Sequence, residues 1–378
     1  MRSLLCRLST ILILAALLLV LVSQLLRTAA AEPVVTVVSD ALEHPWSLAF
    51  LPDGSALVTE RPGRLRHLRR APEGHWNLSP PIAGLPEIAA RGQGGLLDVV
   101  PHPDFEANRL VYLSLAAPVD GGMTTRLVRG RLDQDRLLDV ETLFTALPAS
   151  NNTRHFGGRI AFDAAGFVYL SIGDRGKMER AQDLGDHAGS IIRLHDDGRI
   201  PGDNPFVDDP NARPEIFSYG NRNPQGMAIH PDTDAIWTHE HGPRGGDEIN
   251  VIDSGRNYGW PVITLGIDYS GAPIGAGRTE APGMEQPLHH WTPSIAPSGM
   301  AFYEGTVFPQ WQGDLFVGAL AGRHLVRLEL DGERVVRETR MLEDRNERIR
   351  DVRVGPDGHL WLLTDSALGQ ILRLDPTP

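Results

Sequence analysis

One pattern recurs six times along the chain: a glycine or small polar residue, a short apolar run, a tight turn and a second apolar run. The copies are "SLAFLPDGSALVTE" from Ser47, "GLLDVVPHPDFEANRLVYLSLA" from Gly95, "GRIAFDAAGFVYLSIGD" from Gly158, "GMAIHPDTDAIWTHEHG" from Gly226, "GMAFYEGTVFPQWQGDLFVGAL" from Gly299 and "DVRVGPDGHLWLLTD" from Asp351. Short apolar runs separated by Pro-Asp-Gly-type turns form strand, tight turn, strand. The starts lie 48, 63, 68, 73 and 52 residues apart, room for four strands and a loop in each unit, and no long helical periodicity competes. The expected fold is all-β, a six-bladed β-propeller with four-stranded antiparallel blades around a central channel. A pair of β-sandwiches or a large barrel is the alternative. Closure of the ring is expected from "VVTVVSD", ending at Asp40, pairing with "GQILRLDP" from Gly369.

Residues 1–31 stand apart. Arg2 and Arg7 precede the apolar run "ILILAALLLVLV" (Ile11 to Val22), and "TAAAE" from Thr28 offers a small-residue cleavage site after Ala31. This is the pattern of a secretory signal peptide, with residues 32–378 as a single propeller domain and a periplasmic or secreted location. An uncleaved membrane anchor is the alternative, although the apolar core falls short of the ~20 residues that span a bilayer.

Cys6 is the only cysteine and lies in that segment, so residues 32–378 carry no disulfide, thiol nucleophile or thiolate ligand. The whole chain has a formal charge of −12, and residues 1–31 contribute three arginines and no acid, so the remainder is more acidic still. Nucleic acid and anionic membrane are poor partners for such a surface. Lys177 is the only lysine, in the polar run "DRGKMERAQD", which leaves Schiff-base chemistry little to rest on.

In a propeller the ends of the inner strands ring the channel mouth, so polar residues beside the repeated apolar runs can converge from distant positions. They are Gln93, His155, Asp174, Arg222, Asn223, the stretch "HEHGPRGGDEIN" (His239 to Asn250), Tyr269, Arg348 and Arg350. Each alone has an ordinary structural explanation, such as a turn cap, a satisfied loop histidine or a solvated arginine. His239 and His241 are two apart, not the four that place two zinc ligands on one helix face, although on a strand they share a side.

The motifs "HPWSLAFLPDG", "GQGGLLDVVPHPDF", "GNRNPQGMAIHP", "HEHGPRGGDEIN" and "NYGWPVITLGIDYSG" make the chain resemble the soluble aldose sugar dehydrogenases dependent on pyrroloquinoline quinone (PQQ), of the glucose/sorbosone dehydrogenase type. The likeness runs from about His44 to the C-terminus. It implies a six-bladed propeller that oxidises an aldose at the anomeric carbon to a lactone and passes electrons to an external acceptor, a cytochrome, a quinone or a dye. It further implies His155 as general base and Asp174 as the carboxylate that holds its ring, a suitable pairing because histidine titrates near neutrality. Arg222 would lie at the quinone oxygen, Arg348 and Arg350 would clamp cofactor carboxylates, Asn223 and Gln93 would bond the cofactor edge, and Tyr269 would pack at the rim. The cofactor's Ca2+ is expected on the carbonyls of Gly242 and Pro243, and a second, structural Ca2+ on the Glu248 carboxylate and the Tyr258 carbonyl. His239 and His241 are then not ligands, and the protein is a monomer or homodimer.

Two positions depart from the glucose-oxidising relatives. Ala321 in "ALAGRHL" stands where they carry a lysine near the cofactor, with Arg323 as a substitute, and Arg154 stands beside the base where they have an aspartate. The second departure implies a different or broader sugar preference. A calcium-dependent propeller lactonase or esterase, and a non-catalytic carbohydrate-binding propeller, are the rival functions; pairing of arginines with carbonyl ligands, and the joint presence of His155, Asp174 and Arg222, favour the dehydrogenase.

Overall fold

The computed structural model describes residues 32–377; the expected signal segment, residues 1–31, lies outside them. The described residues form six four-stranded antiparallel sheets. β2 (Pro45–Phe50) to β5 (Trp76–Leu78) make the first blade, and β6 (Leu96–Pro101) to β9 (Arg136–Thr145) the second. β10 (Ile160–Phe162) to β13 (Ile216–Ser218), β14 (Pro224–Ile229) to β17 (His289–Trp291) and β18 (Pro297–Phe302) to β21 (Arg334–Met341) follow. The sixth blade runs from β22 (Ile349–Val354) through β23 (Leu360–Thr364) to β24 (Gly369–Asp375), and β1 (Val34–Leu42) completes it from outside, pairing antiparallel with β24. The propeller and the closure expected from the sequence are therefore both present.

Each inner strand packs beside the inner strands of its two neighbours, and a separate apolar cluster fills each of the six blade interfaces. Because side chains alternate across a strand, neighbouring residues serve different interfaces. In β3 (Ala56–Glu60), Leu57 packs toward the second blade with Leu96 and Val99, while Ala56 and Val58 pack toward the sixth with Leu363 and Ile371. Both faces of a blade are thus buried, which is why the inner strands read as nearly continuous apolar runs rather than as alternating ones. Truncating one such residue, Leu57 to alanine, costs about 2–5 kcal/mol.

Two devices turn this scaffold into a site. Five of the six inner strands carry a register irregularity close to the point where they begin, at Pro45/Ser47, Leu96/Val99, Pro224/Gly226, Ser298/Met300 and Ile349/Asp351. Such bulges re-aim side chains toward the axis. Below them a buried charge network crosses the axis: Arg159 Nη1 lies 2.8 Å from Asp351 Oδ1, Arg353 reaches Asp351 at 2.9 Å and Asp98 at 3.2 Å, and Asp98 accepts from Ser47 Oγ and Ile160 N. The network joins four blades and backs the cavity wall, with the Arg159 guanidinium 4.1 Å over the ring of Trp46, which lines it.

Candidate active site

At the end of the axis where the inner strands begin, a cavity of about 550 Å³ is lined by side chains from all six blades. Trp46, Leu97 and Phe156 supply its flat apolar surface. Its polar lining holds the guanidiniums of Arg61, Arg348 and Arg350 and the carboxamides of Gln93, Asn223 and Gln225, against the single carboxylate of Asp365. The chain as a whole is at −12, so this is a local inversion of charge.

His155 adjoins the cavity without lining it: Phe156 and Gly157, which follow it, and Gln93, to which it bonds, form that part of the wall. Its Nδ1 donates to Asp174 Oδ1 at 2.6 Å and its backbone N–H donates to Gln93 Oε1 at 2.8 Å. Asp174 is buried and fully engaged, with Oδ1 also accepting from Gly176 N at 2.6 Å and Oδ2 from Trp260 Nε1 at 2.9 Å. Burial pushes the His155 imidazole below its ordinary value, with Arg222 and Arg154 acting in the same sense and Asp174 opposing. Burial alone would raise the Asp174 carboxyl, but the His155 bond, the Gly176 N–H and Arg222 outweigh it and hold it below the usual carboxylate range. The ionised acceptor fixes the tautomer: Nδ1 carries the proton and Nε2 is left as a base.

Arg222 is tied to the same pair. Its carbonyl accepts from Asp174 N at 2.8 Å, its guanidinium sits 5.3 Å over the Trp260 ring, and Nη1 donates to the carbonyls of His241 at 3.0 Å and Gly242 at 2.8 Å. Asn223, on the next residue, accepts from Gly157 N at 3.2 Å and lines the cavity. The structure therefore links Gln93, His155, Asp174 and Arg222 in one bonded chain, but only Gln93 and Asn223 of the expected group line the axial cavity, Arg222 bordering a smaller one beside Glu240 and Glu248.

Across the cavity Arg348 and Arg350 lie side by side, Arg348 immediately before β22 and Arg350 within it. Each donates an Nη2 to Asp365 Oδ2 at 2.9 Å, and His44 meets Asp365 Oδ1 at 3.1 Å. Burial would raise the Asp365 carboxyl, yet Arg350, Arg348 and His44 hold it far below its ordinary range. Arg350 keeps a buried Nε with no partner. Tyr269 is two-thirds exposed and does not line this cavity; likewise Leu320, not Ala321 or Arg323, faces it. Arg323 instead donates to the Asn346 carbonyl.

The stretch His239 to Asn250 makes a strand, a turn and a strand. Glu240 and Glu248 are direct cross-strand partners on β15 (Ile236–Glu240) and β16 (Asp247–Ile252), and they border a cavity of about 10 Å³ together with Gly242 and Tyr258. Like charges directly opposite each other destabilise a sheet. Burial, and after it Glu248, pushes the Glu240 carboxyl well up; burial, reinforced by Asp247, pushes Glu248 up to about 7. Gly242 has no room for a side chain, because a Cβ there would run into the carbonyl oxygens of Gly245 and Gly246. Pro243 is buried in the same turn and lines neither cavity. His239 is buried away from the cavity, and His241 lines it while bonding the Pro297 carbonyl at 2.7 Å. No cluster of three or more His, Cys, Asp or Glu side chains suited to a metal occurs among the described residues, so a cation here draws on carbonyls as well as carboxylates.

A family model described as glucose/sorbosone dehydrogenase matches residues 42–373. The chain belongs to this family. Within the glucose/sorbosone dehydrogenases it is similar to aldose sugar dehydrogenase YliI of Escherichia coli, 47% identical over 363 residues that cover 95% of this chain and 97% of the relative. A crystal structure of a glucose dehydrogenase superposes with a TM-score of 0.88 at 50% identity, covering 91% of this chain and 100% of that one. The PQQ-bound form of aldose sugar dehydrogenase from Streptomyces coelicolor superposes with a TM-score of 0.74 at 29% identity, covering 91% and 99%. This chain is accordingly a sugar dehydrogenase of that family by sequence and by fold.

Several site residues were not singled out from the sequence: Asp365, Trp260, Gln225 and Arg175, while Glu240 fell within the candidate stretch His239 to Asn250 without being named. Asp365 and Glu240 had a signal, because acids fall at or just beyond the end of the second strand in four units, as Glu60, Asp174, Glu240 and Asp365. Trp260 and Arg175 sit in loops outside the repeat and had none.

Proposed function

We propose that this chain is an exported, periplasmic or secreted, PQQ-dependent dehydrogenase that oxidises aldoses at the anomeric carbon to lactones, with Ca2+ as a second cofactor. The observation that carries it is the His155–Asp174 pair at 2.6 Å, which adjoins the wall of a cationic axial cavity through Gln93 and Phe156. The donor set suits the quinone: guanidiniums and carboxamides for its carboxylates, and Trp46 and Phe156 for its flat ring system. The orphaned Arg350 Nε is one donor in need of an acceptor. The opposed Glu240 and Glu248 carboxylates, with the Gly242 and Tyr258 carbonyls, suit a hard divalent cation, which would relieve their repulsion.

When bound, the quinone supplies the acceptor for the anomeric hydride. The protein's part begins with His155 Nε2, which takes the proton of the anomeric hydroxyl, while Asp174 keeps the ring oriented and steadies the imidazolium that forms. Arg222 is held by two carbonyls through Nη1 and offers its remaining N–H groups to an oxygen gaining negative charge. Preorganised donors of this kind contribute about 3 kcal/mol to a transition state. Arg348 and Arg350 bind, and their alignment by Asp365 removes the need to order two long side chains when a ligand enters.

The test is reconstitution. Purified protein given PQQ and Ca2+ should reduce an artificial dye with aldoses and release the lactone. Hydrolysis of lactones without any dye reduction would move the chain to the hydrolases and end the proposal.

A further inference from the structure

Arg175 is an anomaly. Its side chain is among the largest fully buried ones, yet its two acceptors are neutral carbonyls, those of Arg154 and, at 2.6 Å, Asn152. Its Nε has no partner among the described residues, and its Cζ lies 3.4 Å from the centroid of the Phe156 ring. A buried cation without a carboxylate is costly, and protein interiors keep one only where it serves something besides stability. Burial, with Arg180 adding to it, pushes this guanidinium down to about 9.

What the guanidinium grips is the segment leading into His155. Asn152 Oδ1 accepts from Arg154 N at 3.0 Å and shapes a tight turn, and the next residue, His155, has φ of 54°, a left-handed backbone uncommon for residues other than glycine. Arg175 itself has φ of 57° and directly follows Asp174. One member of the His–Asp pair is therefore itself in the left-handed region and the other directly precedes a residue that is, and the Arg175 side chain bridges their segments. Phe156, against which it stacks, lines the cavity.

We infer that Arg175 is a positioning residue: by clamping the Asn152 and Arg154 carbonyls it fixes the backbone that holds His155 against Asp174 beside the cavity wall. The inference rests on His155 being the base, and the tests below separate the two. A misplacement near 1 Å costs about 10²-fold in rate. Arg175→Met should therefore lower kcat about 10²-fold with KM changed by less than about threefold, because it disturbs the base and not ligand binding. Arg175→Lys, which keeps the charge but not the two-pronged grip, should fall between wild type and Arg175→Met. Since Arg175 acts through His155, adding Arg175→Met to His155→Ala should cost nothing further.

The second readout needs no catalysis. In the protein without cofactor, Arg175→Met should raise amide hydrogen exchange across residues 152–156 while leaving exchange in β10 and β11 (Val168–Ser171) unchanged. If wild type oxidises no aldose, the functional assignment fails and the exchange measurement alone decides the clamp. Unchanged exchange, or a kcat within about twofold of wild type, overturns the inference. So does an equal further loss in the His155→Ala background, which would place the effect of Arg175 elsewhere. Should Arg175→Met fail to fold, the exchange and kinetics of Arg175→Lys carry the same decision.

Discussion

Replacing Asp174 by asparagine tests the base geometry, and the surrounding donors set the size of the effect. Two N–H groups, from His155 and Gly176, point at Oδ1, and one, from Trp260, points at Oδ2. An amide placed with its NH2 at Oδ1 would oppose two donors and force the wrong imidazole tautomer. Turned the other way, it opposes only the Trp260 N–H, so this orientation wins by about one buried hydrogen bond, roughly 1–3 kcal/mol. The tautomer is then preserved and only the charge is lost. A charge-assisted bond contributes about 1.5–3 kcal/mol, and each 1.36 kcal/mol is tenfold in rate, so Asp174→Asn should lower kcat by about 10- to 150-fold. The acid limb of the pH profile should move as well. Asp174 raises the His155 pKa against the stronger lowering by burial, so its loss lets that pKa fall further and the limb shifts to lower pH. Steady-state dye reduction by the PQQ- and Ca2+-loaded variant from pH 4 to 9 reads both quantities. A loss near 10⁴-fold, the scale that follows from a wrong tautomer, would refute the donor accounting, and an unshifted profile would refute the pairing of base and carboxylate.

Other consequences follow from the same geometry. Arg348→Ala should weaken PQQ retention, measured by equilibrium dialysis, with kcat at saturating cofactor little changed, because its guanidinium faces the cavity far from His155's partners. Asp365→Asn should destabilise the protein by about 3 kcal/mol in urea unfolding, since it leaves two guanidiniums without their shared carboxylate. The Asp365 carboxyl is held far below its ordinary value, so that stabilisation is fully present above the unfolded carboxylate pKa of about 4 and is lost progressively as the pH falls toward the folded value; the gap between the two proteins should begin to narrow below about pH 4 and close only below the depressed folded pKa. Arg154→Asp should move the acid limb of kcat/KM upward, because Arg154 lowers the His155 pKa, and should alter the ranking of aldoses by kcat/KM. Chelation by EGTA should abolish dye reduction, with Ca2+ restoring it better than Mg2+, because the carbonyl-and-carboxylate set is not the compact octahedron Mg2+ requires.

The fold was legible because a propeller repeats its physics. Each unit had to write the same strand, turn and strand, and burial on both faces made the apolar runs continuous. The mouth was legible at repeat boundaries, where His155, Asp174 and Asn223 stand next to the apolar runs that position them. Loops outside the repeat have no register to read, which is why Tyr269 is exposed and Ala321 gives way to Leu320 at the cavity wall. The acids are the instructive case. A carboxylate at or just past the end of a blade's second strand lies beyond the last core residue, so any blade can carry one without disturbing its packing. What it does depends on the group its own blade sets beside it: Arg64 and Arg66 for Glu60, His155 for Asp174, the Arg222 and Asn223 N–H groups for Glu240, Arg348 and Arg350 for Asp365. The partner of Asp174 precedes it by 19 residues, whereas His44 meets Asp365 across 321 residues, at the seam between first and last blades. Pairing within each blade thus decides which acid meets a histidine and which aligns a pair of arginines, and closure of the ring adds His44 to the last of them.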